Sequence, residues 1–117
     1  MNKKVVYSAK TLTDLEEIGD YISKELKNPI AALNTVNMIQ NKIDKLADFP
    51  NIGTPLSAIY DTLNADDYRF LVCANYLAFY RVGESNIHID RVLYGKRDYA
   101  AILFGNLTQN EHKENAP

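Results

Sequence analysis

After a short opening run, the hydrophobic period of this chain changes at a cluster of breakers, Pro50, Gly53 and Pro55. Before the break, apolar residues recur at the spacing of a helix; after it they alternate, which is the spacing of a strand. A chain that sorts its helices and most of its strands into separate blocks is expected to form an α+β domain.

Upstream of the break, residues 4–8 (KVVYS) form a β-branched and aromatic run that reads as a first strand. Leu15, Ile18, Ile22 and Leu26 then recur at helical spacing, with Thr13 and Glu16 as a capping box, so a helix is expected over residues 12–27. Asn28 and Pro29 give a second start signal, and Ile30, Leu33, Val36, Ile43 and Leu46 continue on a helical stripe to Phe49. Leu15, Ile18, Leu33 and Ile43 are expected in the core, and the two helices should pack as a hairpin.

Residues 51–67 read as a loop. Beyond it, Tyr68, Phe70 and Val72 alternate with Arg69, Leu71 and Cys73, and Ala74 and Asn75 provide a tight turn into Leu77, Phe79 and Arg81. After a polar turn at residues 83–86, Ile87, Ile89, Arg91 and Leu93 alternate with His88, Asp90, Val92 and Tyr94. The expected order is β-α-α-β-β-β, an antiparallel sheet packed on a helical hairpin. A short terminal helix is expected through Tyr99, Ile102 and Leu103, and residues 106–117 lack the apolar content to fold alone. The domain is thus expected to span residues 1–105.

Size and charge restrict function. With 117 residues, 46% of them hydrophobic, the chain can bury one core but not two. Its net charge of −2 disfavours a general nucleic-acid binder, which gains affinity by displacing counterions with a basic excess. The lone cysteine, Cys73, permits no internal disulfide and fits a reducing compartment, so a cytoplasmic location is expected. No apolar run approaches the length of a membrane helix.

All four arginines, Arg69, Arg81, Arg91 and Arg97, fall in the strand-rich stretch from Tyr68 to Tyr99. Guanidinium groups keep their charge and present a planar fork of donors, so their clustering suggests a binding face for an anionic or carboxylate-bearing partner. Arg69, Arg81, Lys96 and Arg97 are the candidate contact residues. Arg91 reads as structural, with Asp90, Asp66 or Asp67 as its possible partner. The chain has no phosphate loop, nucleophile elbow or metal-ligand spacing, and His88 and His112 lie far apart, so neither cofactor nor metal is expected.

The segments VVYSAKTLTDLEEIGDYI, NPIAALNTVNMI, LADFPNIGTPL, YRFLVCANYLAFYRV and IDRVLYGKRDY, in this order, resemble the RelE/ParE superfamily of bacterial type II toxins. The resemblance covers residues 4–104 and implies a growth-inhibiting toxin of a plasmid-stabilisation type, masked by a cognate antitoxin. RelE-like members cut messenger RNA on the ribosome, whereas ParE-like members poison DNA gyrase. On a nuclease reading the matching residues would be Arg69, Arg97 and Tyr99. Leu77 and Leu71, however, stand where nuclease members carry an arginine and a lysine. The resemblance therefore favours a gyrase-directed toxin, with a ribosome-dependent endoribonuclease and an inactive binding module as the alternatives.

Overall fold

The computed structural model describes residues 3–58, 68–97 and 102–103. Strand β1 (Lys4–Tyr7) leads into helix α1 (Ala9–Asp20), a π-helical turn (Tyr21–Glu25) and helix α2 (Pro29–Asp44), which ends in a 3-10 turn (Lys45–Ala47). A two-residue strand β2 (Thr54–Pro55), a second 3-10 turn and strands β3 (Arg69–Cys73), β4 (Tyr76–Val82) and β5 (Asn86–Tyr94) follow. The sheet order is β1-β5-β4-β3-β2. The α+β class and element order match the sequence reading, with β2 added inside the expected loop. The sheet is mixed rather than wholly antiparallel. β1 pairs in parallel with β5: the helical connection carries the chain from β1 to β2 at the far edge of the sheet, and three antiparallel reversals through β3 and β4 bring it back beside β1 in the same direction.

The helical layer starts earlier than its capping-box signal implied. Ser8, not Thr13, caps α1: its Oγ accepts the Thr11 N–H at 3.0 Å. Thr13 lies one turn inside the helix, its hydroxyl donating to Ala9 C=O. The π turn, marked by Leu26 N–H donating to Tyr21 C=O, ends in a Schellman-like stop in which Asn28 N–H reaches Ile22 C=O at 3.2 Å. This stop places Lys27 in the left-handed region at φ 53°. Asn28 then caps α2 through Oδ1, which accepts Ala31 N–H at 3.0 Å, so one residue closes the first helix and opens the second.

On α2 and the 3-10 turn that ends it, the buried stripe runs through Ala32, Ile39, Ile43 and Leu46. Leu33, expected in the core, is 63% exposed, and Ile30 is 74% exposed. The 3.6-residue period followed back from Ile39 through Val36 reaches Ala32, which leaves Leu33 a further 100° around the helix. Leu15, Ile18 and Ile22 of the first helix complete the helical side of the core against Cys73, Ala78, Tyr80, Ile87, Ile89 and Val92 of the sheet. Burial pushes the Cys73 thiol up to about 11, consistent with a small apolar core residue. A smaller cluster of Leu56, Phe79 and Leu93 covers the opposite sheet face, with Ile102 and Leu103 packed against it. Those two residues are helical, as expected. Tyr99, Asp66, Asp67 and residues 106–117 lie outside the described residues.

The unbroken alternation expected for β5 fails at Asp90. Phe79 pairs with Arg91 but Tyr80 pairs with Ile89, so Asp90 is the extra residue of a β-bulge. The bulge resets the parity, allowing Ile87 and Ile89 and then Val92 to face the helices while Leu93 faces away.

Helix α1 is fastened to this strand by a polar stripe at i, i+3 and i+6. Thr11 Oγ1 donates to Ile89 C=O at 2.8 Å and Ser8 Oγ donates to Asp90 C=O at 2.9 Å. The Asp14 carboxylate accepts Val92 N–H at 3.0 Å and both Nε and Nη2 of Arg91 at 2.8 Å. Arg91 is therefore structural, as the sequence indicated, but its partner is Asp14 on the first helix rather than any of the aspartates proposed near it. These hydrogen bonds hold the guanidinium above its ordinary range.

The break at residues 50–53 is held just as firmly. Tyr80 Oη accepts Gly53 N–H at 2.9 Å and donates to Pro50 C=O at 2.8 Å. Arg69 Nη1 donates to Gly53 C=O at 2.8 Å and to Asn51 C=O at 3.3 Å.

Three stability predictions follow from this packing. A Cβ on Gly53 would collide with the Tyr80 hydroxyl and sit 2.8 Å from Phe70 C=O, so Gly53→Ala should cost about 2 kcal/mol in urea unfolding. Asp14→Ala leaves a partly buried guanidinium and a buried N–H unmatched and should cost about 2 kcal/mol, part of which the double variant Asp14→Ala/Arg91→Leu recovers in a double-mutant cycle. Lys27→Gly relieves the left-handed backbone and should raise stability by about 0.5 kcal/mol on the same assay.

Candidate functional site

The sequence reading grouped Arg69, Arg81, Lys96 and Arg97 on one face, and the structure separates them. Arg69 lies directly across from Tyr80, on the helix-facing side, where its guanidinium is bonded to loop carbonyls. Arg81 follows Tyr80 on β4 and so points to the other side of the sheet. There it forms an ion pair with Asp90, Nε to Oδ2 at 2.8 Å, and stacks 5.8 Å from the centroid of the Tyr68 ring. Convergence therefore fails for a local reason: adjacent strand residues, Tyr80 and Arg81, face opposite ways, and Arg69 takes the side of Tyr80. Lys96 and Arg97 are exposed in the turn after β5, where Arg97 N–H donates to Tyr94 C=O at 3.0 Å.

Of the four, Arg97 opens onto a described cavity. A cleft of about 570 Å³ lies between the C-terminal half of α1 and the end of β5, a volume typical of pockets that hold an anchor side chain or a small ligand. Its apolar lining comes from Ile18, Leu26, Val92 and Leu93, and its aromatic lining from Tyr21, Tyr76 and Tyr94. Glu17 and Asp14 line it from the helix, with Asn75 and Arg97 on the strand side. The Tyr76 and Tyr94 rings stand 5.9 Å apart and tilted by 59°. Burial, reinforced by the neighbouring phenols of Tyr94 and Tyr21, raises Tyr76, which stays a neutral hydroxyl near pH 7.

This cleft owes its shape to the fastening described above. β1 stops at Tyr7, level with Ile89, whereas β5 continues to Tyr94. Over those last residues α1 takes the place of a neighbouring strand, but Asp14 is the last helix residue bonded to the β5 backbone. Beyond it the helix and strand leave a gap, and the π turn carries Tyr21 alongside. Sequence reasoning missed Asp14, Glu17, Tyr21 and Tyr76. A signal for the first was present: Thr11 and Asp14 share the face of α1 that carries Leu15 and Ile18, where a polar residue must find a partner. The cleft itself, made by elements far apart in the chain, left no local mark.

Chemically, the arrangement suits binding. The lining offers an apolar and aromatic body with one cation, Arg97, and two carboxylates, Glu17 and the Arg91-bound Asp14, at its margins, the pattern of a site that grips a peptide segment. Among the described residues there is no group of three His, Cys, Asp or Glu placed to hold a metal ion. No helix among them is long and apolar enough to cross a membrane.

Comparison with known proteins adds the family. Residues 5–99 match the model of the ParE toxin of type II toxin–antitoxin systems, parDE. The candidate toxin Y4kP of Sinorhizobium fredii (strain NBRC 101917 / NGR234) is 31% identical over 103 residues, covering 86% of this chain and 97% of that protein. Among solved structures, the chromosomal ParDE toxin–antitoxin system from P. aeruginosa superposes with a TM-score of 0.65 at 23% identity, over 79% of this chain and 95% of the other. The RelBE2 toxin–antitoxin complex from Mycobacterium tuberculosis gives 0.54 at 16% identity, over 80% and 99%. The fold is shared with both structures, and by its match over most of its length the chain belongs to the ParE toxin family of type II toxin–antitoxin systems.

Proposed function

We propose that this toxin acts by binding rather than by cutting, inhibiting DNA gyrase in the cytoplasm in the manner of the ParE branch, and that a cognate antitoxin neutralises it. The observation that carries this reading is the engagement of the arginines. Cleavage of a phosphodiester by its own 2′-hydroxyl needs a cation at the developing phosphorane charge, with a base and an acid in reach. Here Arg91 is held by Asp14, Arg81 by Asp90, and Arg69 by backbone carbonyls. Leu77, at a position where nuclease members carry arginine, packs with Phe79 and Leu93 in the smaller core. Arg97 lines a cleft that contains no histidine.

An antitoxin partner is supported by the relatives, since the P. aeruginosa protein comes from a ParDE system and the M. tuberculosis protein was solved as a toxin–antitoxin complex. Arg69, Arg81, Lys96 and Arg97 are the proposed contact residues; Arg81, Lys96 and Arg97 are exposed, and Arg69 is partly buried against residues 51–53.

Expression of the toxin without its antitoxin tests the target. Filamentation, a DNA-damage response and, with purified gyrase, accumulation of cleaved gyrase–DNA complexes are expected while translation continues. Rapid translation arrest with cuts in the ribosomal A site would replace this reading by the endoribonuclease one, and unimpaired growth would identify a binding module without toxicity.

A further inference from the structure

The end of β5 carries a specific pattern of used and unused backbone groups. Gly95 N–H donates to Asn75 C=O at 2.8 Å and Leu93 lies opposite Leu77, so residues 93 and 95 direct their backbone groups toward β4. Residues 92 and 94 therefore direct theirs to the outer flank, where β1 has already ended. On that flank, Val92 N–H is taken by Asp14 at 3.0 Å and Tyr94 C=O by Arg97 N–H at 3.0 Å. Among the described residues, nothing takes Val92 C=O or Tyr94 N–H.

This remainder selects a direction. An antiparallel neighbour exchanges both bonds with a single residue, and both Val92 and Tyr94 have one group already committed. A parallel neighbour bonds differently: one of its residues donates to the C=O before, and accepts from the N–H after, the residue it faces. A residue facing Leu93 would meet Val92 C=O and Tyr94 N–H in that way. The cleft lies along this flank, and Tyr21 and Tyr94, which line it, are 56% and 41% exposed.

We propose that an extended segment of the cognate antitoxin adds to β5 as a short parallel strand in line with β1, one residue facing Leu93, with a carboxylate at its C-terminal end meeting Arg97. The proposal rests on the antitoxin reading above. A parallel segment runs from Val92 toward Tyr94 and so finishes at the Arg97 turn, which fixes where its negative charge must lie. Its apolar side chains pack against Ile18 and the tyrosines, as in other cases of strand addition to an open sheet edge.

The test uses the toxin purified with the product of the adjacent antitoxin gene. In the complex, Tyr94 N–H should exchange with solvent at least about 100-fold more slowly than in the free toxin, while Leu93 N–H, already directed to β4, serves as the internal reference. Tyr94→Pro removes that N–H from an outward-facing edge position, where proline is tolerated. It should weaken the complex at least about 10-fold relative to Tyr94→Ala. Arg97→Glu should weaken it as well. A complex in which Tyr94 N–H exchanges as in the free toxin would overturn the added strand and leave the antitoxin reading standing. Absence of any complex would overturn both. Protection of Tyr94 in concentrated toxin alone would give the flank to a second copy and overturn the assignment to antitoxin.

Discussion

The fold depends on one helix standing in for one strand. β1 pairs with β5 only as far as Ile89, and from there Ser8, Thr11 and Asp14 supply the hydrogen bonds that a longer β1 would have made. Buried backbone groups must be matched, so this stripe fixes the rotation and axial position of α1 on the sheet. Asp14 has the greatest share, since one carboxylate serves both a main-chain N–H and a guanidinium. The same stripe decides where the helix stops supporting the strand, and thus where the cleft opens.

Much of the architecture could be read in the sequence because its signals are local. Helical spacing in Leu15, Ile18 and Ile22, the Asn28-Pro29 start and the tight Ala74-Asn75 turn each lie within a few residues of one another. What escaped were features set by distant partners. The parallel placement of β1 depends on the crossover, and the bulge at Asp90 is demanded by the core on both sides of it. Leu33 looked like core because a spacing of three or four fits two adjacent helix faces equally well, and only the position of α1 tells them apart.

The candidate site was less legible, and the arginines show why. Placement on strands gave no information on which face each would take, since a shift of one residue inverts it. It also gave no information on internal partners: three of the four spend their donors within the described molecule. Arg97, in the turn after β5, lines the cleft.

The grip of Tyr80 and Arg69 on residues 50–53 has a mechanical consequence. That proline- and glycine-bearing segment leads from the helical layer to β2, and by composition it would be a natural hinge. Clamped through four carbonyl and amide groups to side chains of the sheet, it cannot serve as one. The two layers should move as a single body, so any reshaping needed when this molecule meets another must come from the other molecule, along with most of the entropy lost on docking.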